Sequence, residues 1–158
     1  MAMKTLRIVF FLIAVSQMAL AQKSDSLLQV AWEASIKKFD AADYSDAAIG
    51  FTQLINSGFS NKEVFLKRGV SFYQLKEYEK AKADLDEAVK ARINSADVFQ
   101  YRGNSRYYLD DFPGASNDLE KAVAMGAANF EMFANLGNAK FRLENFKEAV
   151  TYYDKAIS

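Results

Sequence analysis

The sequence predicts an all-α protein, an array of helix pairs repeated at a fixed step of thirty-four positions. Three observations carry that prediction. Gly69, Gly103 and Gly137 recur at that step, Ala81, Ala115 and Ala149 follow twelve later, and Ala88, Ala122 and Ala156 seven after those. Bulky residues keep the same step: Leu75, Leu109 and Leu143, then Tyr78, Phe112 and Phe146. One Pro and seven Gly in 158 residues suit long helices with short connections. Self-similarity at a fixed period of about 20–50 residues is the mark of stacked units, each too small to bury its own apolar face.

Within each copy the apolar residues recur at three- and four-residue steps, which gives two amphipathic helices. The first pair is expected near 27–41 and 44–57, the second near 62–75 and 78–91. The third is expected near 96–109 and 112–125, the fourth near 130–143 and 146–157. Ser24 or Ser26 is placed to cap the first helix, and Asp43, Asp111 and Asn145 to cap second helices. Asn145 with Glu148 has the spacing of a capping box. Pro113 falls in a first helical turn, where its missing N–H costs nothing. Gly58 and Gly126 sit where a helix ends in a left-handed residue. Gly103 leaves room for Ala115 on the facing helix to approach, and Ala122 offers a flat surface to the next copy. Gly69 and Gly137, with Ala81, Ala88, Ala149 and Ala156, repeat those two roles.

Residues 1–21 differ from the rest. Lys4 and Arg7 precede an apolar run, 8–15, and Ala19-Leu20-Ala21 has the small-residue spacing of a cleavage site. A cleaved signal peptide over 1–21 is expected, leaving Gln22 as the mature N-terminus of an exported protein, periplasmic or secreted, at 22–158. The alternative is an uncleaved anchor, but eight consecutive apolar residues fall short of the ~20 that span a bilayer. No Cys is present, so lipoprotein processing is excluded.

The composition also limits the chemistry. Without Cys or His there is no thiolate nucleophile, no disulfide, no Cys/His zinc site and no imidazole base. Twenty Lys plus Arg against twenty Asp plus Glu give no overall field favouring nucleic acid. Ser35-Ile36-Lys37-Lys38 matches the S-x-x-K nucleophile pattern, but it lies within an expected helix and lacks the partner motifs. Asp84-Leu85-Asp86-Glu87 is expected to be a solvated helix face, since a calcium loop needs a Gly-turned, non-helical segment. Neither phosphate-binding glycine pattern occurs. No enzyme, metal or cofactor is expected.

The columns resemble the tetratricopeptide repeat (TPR) family, with a small residue at position 8, Ala at 20 and 27, and aromatics around 17 and 24. The resemblance covers copies at about 28–61, 62–95, 96–129 and an incomplete 130–158. The first copy is the most divergent, with Ser35 in place of the Gly and Leu54 in place of the last Ala. No copy has the usual Pro near position 32, where Phe59, Ile93 and Ala127 stand.

The resemblance implies a right-handed α-solenoid whose first helices line a concave groove and bind a protein or peptide segment. The positions it assigns to that groove hold Trp32, Leu66, Gln100, Asn104, Asn138, Tyr73, Tyr107, Phe141 and Arg142. The two Asn are suited to a peptide backbone, because an amide side chain both donates and accepts. The aromatics either face a ligand or pack between neighbouring first helices. The carboxylate clamp of chaperone-binding members is not expected, since position 5 is never Lys. The last copy leaves Tyr153, Ala156 and Ile157 to be covered by further chain or by another molecule, which makes self-association the alternative role.

Overall fold

The structure, a computed structural model, describes the backbone of residues 2–158 and the side chains of 15–18 and 20–158. Among the described residues eight helices follow in order: α1 (Ala2–Asp40), α2 (Tyr44–Asn56), α3 (Glu63–Gln74), α4 (Tyr78–Lys90), α5 (Ala96–Tyr108), α6 (Phe112–Ala124), α7 (Phe130–Arg142) and α8 (Phe146–Ile157). Each packs against its successor, and α3 also packs on α5 and α5 on α7. The second helices make no comparable approach to one another, so the first helices form the inner side of the stack.

The core is distributed along the array. Ala47, Phe51 and Leu54 receive Val64 of the next copy, Leu85 and Ala88 receive Val98, and Leu119 and Ala122 receive Met132. Each cluster therefore straddles a boundary between copies, which makes neighbouring copies depend on one another for burial. Ala81 and Ala115 are fully buried and Ala149 nearly so, as the Gly–Ala pairing requires. At Gly103 the facing atoms differ from the expectation. A Cβ added there would lie 2.7 Å from Leu119 Cγ and 3.1 Å from Asp118 Cβ, so Leu119 rather than Ala115 closes the gap.

Two caps behave as the sequence suggests. Asp43 accepts from the Asp46 N–H and Asp111 from the Gly114 N–H. Asn145 does not cap with its side chain, and the expected box with Glu148 is absent. Glu148 instead reaches Lys140, 2.5 Å away, because a nearly buried ammonium attracts a carboxylate more strongly than an exposed backbone N–H does. The first helix begins at Ala2 and not near residue 27, so Ser24 and Ser26 lie inside it. No Gly or Pro interrupts the chain between 2 and 40. Lys4, Arg7 and the apolar run through residue 14, on which the expected leader rests, lie outside the described side chains. Among the described residues no helix is long and apolar enough to cross a membrane.

The turns use a left-handed residue at the same period. Gly58, Arg92 and Gly126 have φ of 73, 65 and 90°, and Ala42, Lys76, Asp110 and Glu144 have φ of 58–61°. Five of those seven carry a side chain in a region that costs about 1–2 kcal/mol. Arg92→Gly is therefore expected to raise stability by up to about 1 kcal/mol, read from denaturant midpoints. A drop in the midpoint would show that Arg92 contributes contacts that its backbone conformation conceals.

Candidate functional site

The inner wall is built by α1, α3, α5 and α7, and its centre is a tyrosine cluster. Tyr73 of α3 is buried and packs on Tyr101 of α5, with ring centroids 5.2 Å apart. Tyr78 and Tyr108 stack at 4.4 Å. Glu131, at the start of α7, reaches back across two copies. Its Oε1 accepts from the Tyr73 hydroxyl at 2.5 Å and from the Tyr108 hydroxyl at 3.2 Å. Burial, with Glu131 adding to it, holds the Tyr73 and Tyr108 phenols above their ordinary range, so both stay protonated donors.

The expected groove residues divide by access. Phe141 is 54% exposed and packs edge-on against Phe146, itself 55% exposed. Arg142 is exposed and lies over the Phe112 ring at 4.6 Å. Tyr107, Gln100 and Asn138 are half-buried. Asn138 donates to the Tyr107 hydroxyl at 3.1 Å and accepts from the Tyr153 hydroxyl at 2.9 Å, which leaves one N–H and one lone pair of its amide for a ligand. Trp32 and Leu66 are half-buried within the clusters joining the first three copies.

Asn104 is a correction. It is fully buried, its Oδ1 accepts from Asn135 Nδ2 at 3.2 Å, and its own Nδ2 has no partner. In this arrangement it presents nothing to a peptide backbone. Asn104 and Asn135 are thus tied to each other behind the wall. Tyr153 is a second correction. It is half-buried and not fully uncovered, because its ring edge turns in over Gly137 and its hydroxyl bonds Asn138. Ala156 is half-covered, while Ile157 is 81% exposed.

On a second face lies a ladder of ion pairs that sequence reading missed. Arg68 forks onto Asp84 at 2.7 and 2.6 Å, and Arg102 onto Asp118 at 2.8 and 2.7 Å. Arg106 adds a bond to Asp118 at 2.7 Å, and Arg102 also reaches Asp86 of the preceding copy at 3.0 Å. Lys140 continues the ladder, held by Glu120 of the preceding copy and Glu148 of its own. The expectation of a solvated face at 84–87 therefore fails for Asp84, Leu85 and Asp86. Asp84 and Leu85 are buried, and Asp86 is half-buried between Lys82 and Arg102. Burial pushes the Asp84 carboxyl up, and its bonds to Arg68 offset only part of that. Burial also opposes the charge on Asp86, but there the cations win and hold the carboxyl low. The missed signal was plain: Arg68 and Arg102 are one period apart, as are Asp84 and Asp118.

The Asp84 and Asp118 carboxylates are each gripped by a guanidinium fork, while Glu120 and Glu148 share the Lys140 ammonium. The Ser35 hydroxyl of the S-x-x-K match donates to the Ala31 carbonyl at 2.8 Å within its own helix. Among the described residues no group of acids is placed to hold a metal.

Comparison with known proteins agrees with the geometry. A tetratricopeptide repeat family model matches residues 102–158, and a second model of that description matches 63–91. Together they span more than half of the chain. Among solved structures, MamA from Desulfovibrio magneticus RS-1 superposes with a TM-score of 0.70 at 18% identity, over 82% of this chain and 73% of that one. Another MamA crystal structure gives a TM-score of 0.71 at 20% identity, over 82% and 71%. Likeness at that identity speaks to the fold alone. No curated protein matches at the sequence level. Eight helices in register with the period of the sequence and the two family matches lead to one conclusion: the chain belongs to the tetratricopeptide repeat family.

Proposed function

We propose that this chain is a non-catalytic protein–protein interaction scaffold, exported to a bacterial periplasm or beyond the cell. It holds a peptide or protein segment along its inner wall. The observation that carries the reading is Phe141 of α7, more than half exposed and edge-on to the equally exposed Phe146 that opens α8, with the exposed Arg142 next to it in the chain. Rigid aromatics next to a cation supply contact area at low entropic cost, which is the composition of binding hot spots. With Lys4 and Arg7 removed, the charge is close to balanced, and nucleic acid is not the expected partner. A second reading, assembly through the ends of the array, is favoured by Val30, which is 61% exposed at a position that later copies bury.

The test is capture from an envelope extract by the full chain, with a Tyr108→Ser/Phe141→Ser chain alongside. Phe141 is exposed, while Tyr108 gives up its stack on Tyr78 and its bond to Glu131, so the chain should lose about 1–2 kcal/mol in all and stay folded, read from the denaturant midpoint. The expected result is a partner whose affinity falls at least about tenfold with the double variant, about 1.4 kcal/mol or more. A partner held equally by both chains would remove the inner wall from the function. Sequencing the N-terminus of the protein recovered from its own cells tests the export half. Gln22 supports it and an intact Met1 refutes it.

A further inference from the structure

Successive copies meet through fixed columns of residues, and among the described residues the first and last copies each leave half of a column open. Val64, Val98 and Met132 are 1, 0 and 0% exposed, each seated against the second helix of the preceding copy. Val30 holds the same position one period earlier and is 61% exposed. The receiving pairs are Phe51 with Leu54, Leu85 with Ala88, and Leu119 with Ala122. The next pair at that period is Tyr153 with Ala156, beside the 81% exposed Ile157.

The charges follow the same columns. Lys140 is clasped by Glu148 of its own copy and by Glu120 of the copy before. Lys38 stands three periods earlier and has Asp46, the counterpart of Glu148, at 3.0 Å together with Asp43. What Lys38 lacks is a carboxylate from a preceding copy. Asp154 is the counterpart of Glu120, is exposed, and forms no ion pair among the described residues. Among the described residues, one end of the array thus carries an exposed Val and a Lys whose two carboxylates both come from its own copy, and the other a half-covered apolar seat and an Asp with no ion pair.

We propose that a second copy of this chain docks head to tail. Val30 of one molecule seats on Tyr153 and Ala156 of its neighbour, and Lys38 meets Asp154 as Lys140 meets Glu120. The contact is heterologous, so repetition lengthens the array and does not close it as a two-fold dimer. It uses the end faces and leaves the inner wall free. It therefore stands or falls separately from the groove reading, and the Tyr108→Ser/Phe141→Ser chain should associate as the wild type does.

Sedimentation velocity of the full chain over a concentration series tests the proposal. The expected result is a mass that grows with concentration past the dimer. Asp154→Lys and Lys38→Glu, each alone, should weaken association at least about tenfold through like-charge contact. An equimolar mixture of the two should regain wild-type association, because every altered end then meets its opposite on the other chain. Val30→Arg should weaken association with no rescue by mixing. All three positions are exposed, so circular dichroism should report unchanged helix content. Wild type that stays monomeric, growth that stops at a dimer, variants that associate like wild type, or a mixture no stronger than its components would each overturn the proposal.

Discussion

Asp118→Ala is expected to destabilise the chain by about 3–5 kcal/mol, the largest effect of any single substitution proposed for this protein. The Asp118 carboxylate is 1% exposed and accepts from both Arg102 and Arg106. Removing it leaves two guanidinium groups, 10 and 19% exposed, facing each other with Asp86 shared between them and Asp111 at 3.6 Å from Arg106 for compensation. The cost is the solvation those cations lost on folding, which the remaining pairs no longer offset. In a chain of this size the loss corresponds to a fall in Tm of about 6–20 °C. The control is Asp46→Ala, which breaks an ion pair with half-exposed partners and should cost under about 1 kcal/mol. The triple variant Arg102→Met/Arg106→Met/Asp118→Leu should recover most of the loss, since it removes charge and counter-charge together. A loss under about 1 kcal/mol for Asp118→Ala would mean that water reaches the cluster and the burial argument fails.

The second large effect is at the Gly103–Leu119 contact. Leu119 is fully buried at the junction of copies three and four, so Leu119→Ala should cost about 2–5 kcal/mol. Gly103→Ala should cost about 1–3 kcal/mol, because its new Cβ would stand 2.7 Å from Leu119 Cγ. The two losses should not add. With Leu119 shortened, the methyl introduced at position 103 enters the space vacated, and the double variant should be more stable than the sum predicts by about 0.5–3 kcal/mol. Equilibrium denaturation of the four chains of this cycle gives the coupling, and additivity within about 0.3 kcal/mol would disprove the contact. Gly137 is the informative contrast. There the facing atom is the edge of the Tyr153 ring on the last helix, 2.6 Å from an added Cβ. That ring is half-buried, where Leu119 is fully enclosed, so it yields more easily and the same substitution should cost less there.

Much of the architecture was legible because packing in a stacked array writes itself into the chain at a fixed step. Gly69, Gly103 and Gly137 mark where two helices come closest, and Ala88 and Ala122 mark where the next copy docks. A side chain at any of those places would separate the backbones, so composition alone exposes them. The caps were half legible. Asp43 and Asp111 bond the N–H groups they were assigned, whereas the Glu expected to join Asn145 was drawn to Lys140, a residue of the neighbouring helix. Local sequence cannot register that competitor.

The inner wall was the hardest part to read. Asn104 and Asn138 look alike in sequence, one period apart in equivalent positions, yet one is fully buried against Asn135 and the other half-buried between Tyr107 and Tyr153. The difference lies in what the next copy supplies. Behind Asn104 the first helix of the next copy brings Asn135, while Asn138 meets Tyr107 of the preceding copy and Tyr153 of its own. Glu131 was unreadable for the same reason, since its partners Tyr73 and Tyr108 are 58 and 23 residues away. By itself, then, the sequence determined the helices, their period and the small-residue contacts, because those depend on spacings along one chain, from a single helical turn up to one repeat. Only the tertiary structure decided which polar and aromatic side chains remain accessible. Curvature brings first helices of successive copies together, and burial at any position is set by its neighbour in the next copy.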